Sequence, residues 1–231
     1  MSKMGKNKVN ARKNIDPEKK YSLGEAIDLM LAAKFAKFDE TVDVALRLSV
    51  DPRQADQMVR GSVVLPHGSG KKVRVIAFAQ GEKEKEATEA GADFVGSDDL
   101  VQKIQGGWLD FDKAVATPDM MKVVGKVAKI LGPRGMMPNP KTGTVTKDLT
   151  AAIKAIQSGK VDFRVERAGI IHTLVGKASF GAEKIKENID ALLERVMKLK
   201  PASSKGIYIK SFSISTTHGP GVRIDAGSLD K

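Results

Sequence analysis

Two hydrophobic rhythms alternate along this chain, and their order restricts the fold more than any single motif does. Toward both ends apolar residues recur at every second position. Val42, Val44, Leu46 and Leu48 oppose Asp43, Ala45 and Arg47; Val161, Phe163 and Val165 oppose Asp162, Arg164 and Glu166; Tyr208, Phe212 and Ile214 oppose a row of Ser211, Ser213 and Ser215. Such alternation marks strands with one face buried and the other in water. Amphipathic helices accompany them. One opens on Ser22 and Glu25 at capping-box spacing, and one from Ala182 to Lys200 carries Ile185, Ile189, Leu192, Leu193 and Val196 on a single stripe. Asp51-Pro52 predicts a short helix to Val59 before a strand from Gly61 to Leu65, and a hairpin turn is expected around Ala168-Gly169, returning through Ile170 to Lys177.

The middle of the chain behaves differently. Val73 to Ala79 is a nearly continuous apolar run, as for a strand covered on both faces, and the charged helix Glu82 to Ala90 follows it. Asp93-Phe94-Val95 and a helix capped by Ser97 repeat the unit, and Ala114-Val115-Ala116 leads to Thr117-Pro118 and an apolar helix from Met120 to Leu131. A last helix runs from about Thr146 to Gln157. Strand-then-helix repeats of this length imply a small parallel sheet with helices on both sides. The fold class is therefore α/β in a particular arrangement: a discontinuous α+β domain built from both chain ends, residues 21–67 and 160–231, with a Rossmann-like three-layer α/β domain, residues 68–159, inserted in it. The two crossings, at Gly68 and Gly70 and at Ser158 and Gly159, are expected to act as a hinge.

Charge narrows the partner. The chain of 231 residues has a formal charge of +11 and a pI near 9.7, which favours a polyanion. Lys3, Lys6, Lys8, Arg12, Lys13, Lys19 and Lys20, against Asp16 and Glu18, read as a flexible basic arm over residues 1–20 that lies along RNA phosphates. With no cysteine, thiolate metal sites and cysteine nucleophiles are excluded. No apolar run approaches the roughly 18 residues of a membrane span, and the first residues lack a signal-peptide core, so a soluble cytoplasmic protein is expected.

An α/β enzyme acting on phosphorylated substrates is the rival reading. Gly70-Lys71, Gly125-Lys126, Gly159-Lys160 and Gly176-Lys177 all fail the P-loop spacing, and no G-x-G-x-x-G follows a strand. His67, His172 and His218 have no metal-ligand spacing, and no serine lies in a nucleophile elbow. No catalytic residue, metal or cofactor is expected. The loop Gly132 to Val145, with three glycines and three prolines, also fits no phosphate-loop spacing and is read as structural, with Arg134 and Lys141 as secondary RNA contacts.

RNA binding calls for cations, hydroxyls and flat groups. The end segments supply Lys37, Phe38 and Thr41 around the first strand, Arg164, His172, Lys177 and Ser179 on and after the expected hairpin, and Ser211, Thr216, Thr217, His218 and Gly219 on and after the last strand. Taken singly, each could be a solvated strand residue and Phe38 a core residue. Their recurrence on several strands of one inferred sheet favours the RNA interface.

Five segments resemble the bacterial large-subunit ribosomal protein L-1 family in order and spacing: Lys37-Phe38-Asp39-Glu40-Thr41; Asp51-Pro52-Arg53; Val64-Leu65-Pro66-His67-Gly68; Leu131 to Pro138; and Gly169-Ile170-Ile171-His172 with Gly176-Lys177. The resemblance runs from about residue 6 to 228. It implies a two-domain, non-enzymatic protein, a monomer within the ribosome and cytoplasmic, bound to large-subunit ribosomal RNA at the base of a mobile stalk beside the site where deacylated tRNA leaves. It implies also repression of the protein's own operon mRNA, and no membrane. The RNA contacts it implies are the positions of Phe38, Thr41, Thr217, His218 and Gly219. His218 stands where the family usually has methionine; a ring that stacks and donates a hydrogen bond predicts affinity that responds mildly to pH.

Overall fold

The computed structural model describes residues 5–228. In chain order, α1 (Lys6–Arg12) and α2 (Leu23–Ala32) precede β1 (Thr41–Leu48), β2 (Arg60–Val64) and β3 (Val75–Phe78). There follow α3 (Glu82–Glu89), β4 (Phe94–Gly96), α4 (Asp98–Gln105), β5 (Lys113–Ala116), α5 (Met121–Val124), α6 (Ala128–Leu131) and α7 (Leu149–Gln157). The chain ends with β6 (Lys160–Arg164), β7 (Ile170–Lys177), α8 (Ala182–Lys198), β8 (Ile209–Thr216) and β9 (Val222–Ile224). The fold is mixed α/β, and it divides into two compact units. One consists of the chain up to Gly70 and from Val161 onward; the other is Lys71–Lys160.

In the split unit, β1 is central to a four-stranded sheet of order β7-β1-β8-β9, antiparallel at each junction. Its alternation does the work expected of it: Val42, Val44, Leu46 and Leu48 are buried, with Ile171, Val175, Phe212, Ile214, Val222 and Ile224 beside them. α2 and α8 cover this face with Ala26, Ile27 and Met30 and with Ile185, Ile189, Leu192 and Val196. The Ser22 hydroxyl accepts from the Glu25 N–H and the Glu25 carboxylate accepts from the Ser22 N–H, so the capping box forms and starts α2 where the sequence places it. Among the described residues, the opposite face of the sheet carries no helix of this unit and presents His172, Asp43, Arg47, Ser211, Ser213, Ser215 and Arg223.

The inserted unit has a parallel sheet of order β4-β3-β5. Ile76 and Phe78 pack on one side with Leu100, Val101, Ile104, Val124 and Leu131. Val75 and Ala77 pack on the other with Ala87, Leu149, Ile153 and Ile156. Every residue of β3 is fully buried, which is why its sequence lacks alternation.

Four local expectations are corrected. Asp51-Pro52 starts only a turn and a single 3-10 turn, Ala55–Gln57, because the Asp51 carboxylate accepts from Arg53 N–H and closes the chain there. The helix expected from Met120 to Leu131 is interrupted by a 3-10 turn at Gly125–Val127, where glycine weakens the helical ladder. The hairpin around Ala168-Gly169 is reduced to one bridge, Val165 with Ile171: β6 leaves to pair with β2 in a separate two-stranded sheet, while β7 joins β1. The flexible arm expected over residues 1–20 is ordered where it is described, since Lys6–Arg12 is helical and Ile15 is buried in the core; Lys3 lies outside the described residues.

Candidate nucleic-acid interface

A buried carboxylate organises one end of the sheet. Glu40, fully buried, accepts from the N–H of Ala36 and of His218, each at 3.1 Å, and from the Thr216 hydroxyl. Burial is the strongest influence on its pKa and would raise it, but these three donors and the charge of His218 together prevail and hold it below the ordinary 4.5. The segment before β1 and the loop after β8 are thus tied to one side chain. Two rings emerge from the knot. Phe38, 51% exposed, meets the His218 ring edge-on at 5.6 Å between centroids, and Phe35 stacks on His218 at 6.5 Å. A half-exposed phenylalanine held this way is a platform, not a core residue.

Thr41 and Thr217 close the same loop: Thr41 N–H donates to Thr217 Oγ1 at 3.1 Å, and that hydroxyl donates to Thr41 O at 3.4 Å. Lys177 Nζ donates to Thr41 Oγ1 at 2.9 Å and to Asp39 O at 3.4 Å. Ser179 is bound through its hydroxyl and N–H to the Asp39 carboxylate at 2.7 and 3.0 Å. Lys37 is exposed. Thr216, expected on the surface, lies inside at 2% exposure, and its hydroxyl also accepts from Gly219 N–H at 3.1 Å; it holds the loop.

Gly219 is required by the close approach this creates. A Cβ there would stand 2.3 Å from Thr216 Oγ1, so Gly219→Ala is expected to force the Thr216 hydroxyl away from Glu40, costing about 2 kcal/mol of stability and blurring the His218 position. Urea unfolding beside an NMR spectrum of the loop measures both; a variant as stable as the parent removes the constraint.

The exposed sheet face joins this end to a second one. His172 lies across from Ala45 on β1, 3.4 Å from Glu166, and Ser211, Ser213 and Ser215 lie across from Arg47, Ala45 and Asp43. Partial burial among the strands pushes the Asp43 carboxyl above its usual range, opposed by the charges of His172 and Lys177. At about 3.3 Å per residue, the eight residues of β1 span roughly 25 Å. Beyond its far end, where Leu48 N–H donates to Gly169 O, a groove of about 800 Å³ is lined by Pro52, Arg53, Met58, Arg164, Glu166 and Arg167. Arg164 therefore belongs to this groove and not to the sheet of Thr41 and His172, since β6 diverges from β7. Arg53 and Arg167 escaped the sequence reading. The expected helix at Asp51-Pro52 hid the first, and only the spacing Arg164-x-x-Arg167 beside a turn pointed to the second.

The remaining expected residues lie elsewhere. Asn188, fully buried, accepts from His67 N–H at 3.0 Å and donates to Gly68 O at 3.2 Å and Val175 O at 2.7 Å. Gly70, at φ 70°, is packed so that a Cβ would lie 2.6 Å from Lys177 Cγ. The chain leaves the split unit after Gly70 and re-enters at Val161. Ser158 Oγ donates to Ala155 O and Gly159 N–H to Ile156 O, ending α7. Arg134 and Lys141 are exposed in the inserted unit, on a loop pinned by Asn139, Thr142 and Thr144 and bridged by Val145 to Ala116. Among the described residues no cluster of three or more His, Asp or Glu side chains could hold a metal ion, and no helix is long and apolar enough to cross a membrane.

Comparison with known proteins gives the chain its relatives. The model of the ribosomal protein L1p/L10e family matches residues 30–220. The large ribosomal subunit protein uL1 of Desulfotalea psychrophila is 60% identical over 225 residues, covering 97% of this chain and 96% of the relative. Those of Desulfosudis oleivorans and Syntrophobacter fumaroxidans are each 59% identical with the same coverage. The match spans both units and the segments that build the Glu40 knot, and the chain belongs to the ribosomal protein L1p/L10e family.

Proposed function

We propose that this protein is a structural, non-enzymatic constituent of the large ribosomal subunit in the cytoplasm, and that its split unit binds large-subunit ribosomal RNA. The observation that carries the reading is the exposed Phe38–His218 ring pair, fixed by a buried carboxylate at one end of a polar sheet face. The relatives' name, large ribosomal subunit protein uL1, supports it. The rings offer stacking, Lys37 and Lys177 meet phosphates, Thr41, Thr217 and Gly219 shape the backbone that approaches RNA, and Ser179, His172 and Ser211 offer hydrogen bonds to sugar hydroxyls. Arg53, Arg164 and Arg167 form a second cationic anchor about 25 Å away, while Asp43 between them keeps phosphates toward the two ends. The RNA is that of the mobile stalk, beside the site where deacylated tRNA leaves, with Arg134 and Lys141 as secondary RNA contacts. An operon mRNA presenting the same shape is bound likewise, and the inserted unit pivots at residues 70/71 and 160/161.

Equilibrium binding of the whole chain to a stalk ribosomal RNA fragment tests the interface. Phe38→Ala is expected to weaken binding about tenfold, the effect of losing one stacked base. Arg53→Ala and Arg167→Ala should each lower the salt slope by about one unit. Wild-type affinity in Phe38→Ala, or equal affinity for an unrelated RNA of the same length, would sink the proposal.

A further inference from the structure

α1 presents a puzzle of packing. None of its residues is buried, so the hydrophobic core does not explain why it lies where it does. What it does enclose, with the end of α2 and the residues after it, is a groove of about 300 Å³. Asn7 and Asn10, three apart and hence on one helix face, line it with Asn14 from the following turn, the buried Ile15, and Lys34 and Phe35 from the segment after α2. Among the described residues the three amide side chains take part in none of the hydrogen bonds that fix the surrounding loops, and all three are exposed. Phe35 is also the residue that stacks on His218, so the groove continues the aromatic cluster of the proposed RNA face.

The lining selects a chemistry. A side-chain amide offers two donors and one acceptor, the pattern that pairs with the edge of a nucleobase, while Lys34 supplies the single cation and no carboxylate lines the groove. Its volume is at the lower limit of small-ligand sites, which suits one base and excludes a duplex. Amides without a row of cations would be a poor phosphate site, and a phosphate-tracking surface has no use for a concave wall ending in an aromatic ring. We propose that the groove between α1 and α2 receives one unpaired nucleotide of the RNA, its base lying toward Phe35 and read by Asn7, Asn10 and Asn14. The inference rests on the reading of the Phe38–His218 face as an RNA interface.

The test uses the full chain, Asn7→Ala/Asn10→Ala and Phe38→Ala, each titrated with a stalk ribosomal RNA fragment and with versions in which each unpaired nucleotide in turn is abasic. Because Asn7 and Asn10 are exposed and no residue of α1 is fully buried, the asparagine variants leave the fold intact, as a thermal melt checks. One abasic position is expected to lower the wild-type affinity about tenfold and to leave the affinity of the asparagine variant unchanged, so that the two losses do not add. Phe38→Ala should weaken every fragment alike. If the asparagine variant binds the intact fragment like the parent, or loses as much again on each abasic version, the groove holds no base. If the parent binds no fragment above unrelated RNA, the interface reading falls and this inference with it.

Discussion

Glu40→Ala is expected to lower the stability of the split unit by about 3 kcal/mol and to abolish tight RNA binding. The carboxylate is fully buried and takes three donors, from Ala36, Thr216 and His218, and hydrogen bonds to a charged acceptor are worth roughly 1.5 to 3 kcal/mol each before relaxation. Alanine leaves all three donors facing a void, and the loop carrying His218 loses its tether to the segment carrying Phe38. Glu40→Gln keeps an acceptor and should cost less. The sign of the pH effect follows from the lowered pKa: the group binds protons more weakly folded than unfolded, so its contribution is complete above the ordinary 4.5 and disappears as pH falls through the folded value. The aromatic residues make the measurement clean, because Trp108 lies in the inserted unit and Tyr21 and Tyr208 in the split unit. Near-ultraviolet dichroism of tyrosine should show the loss at neutral pH while tryptophan fluorescence does not move. Equal tyrosine transitions in Glu40→Ala and the parent would show that the knot contributes nothing.

Asn188→Ala should be nearly as costly, at about 2 to 3 kcal/mol. Its amide satisfies His67 N–H, Gly68 O and Val175 O at once from a fully buried position, and alanine would strand these backbone groups where water enters at a cost. Beside it His67 Nε2 approaches the Glu187 carboxylate at 2.5 Å, but both side chains are partly in water and cannot replace the amide. The expected signature is local as well as global: faster amide exchange at Gly68 to Gly70 together with an earlier tyrosine transition. Exchange rates at the parent level in a destabilised variant would separate Asn188 from the chain exit it is held to anchor.

Much of this was legible in the residues. The period of two in β1 and the apolar run of β3 report how many faces of each strand are covered, which is a local property of the side chains. Ser22 and Glu25 revealed a cap because both partners are within four residues of each other. What escaped was set by distant partners. Glu40 and Thr216 look like ordinary surface residues in sequence, and only pairing Val42 with Thr216 turns them toward each other. Arg164 seemed to share a sheet with His172 because they are near in sequence, whereas β2, about a hundred residues earlier, competes for β6. Asn188 reads as a polar interruption in an amphipathic helix until the backbone of His67 and Gly68 arrives to meet it.

The position of β1 has a consequence for synthesis. Both its neighbours come from the far side of the insertion, Thr41 pairing with Lys177 and Val42 with Thr216, whereas the strands of the inserted unit all lie within one continuous stretch. On a growing chain the inserted unit can therefore close while β1 still waits, its apolar face unpaired, for β7 and β8 to emerge. Phe38 and His218 meet only after that. The proposed RNA face is consequently the last feature the chain completes, once nearly all of it has been made.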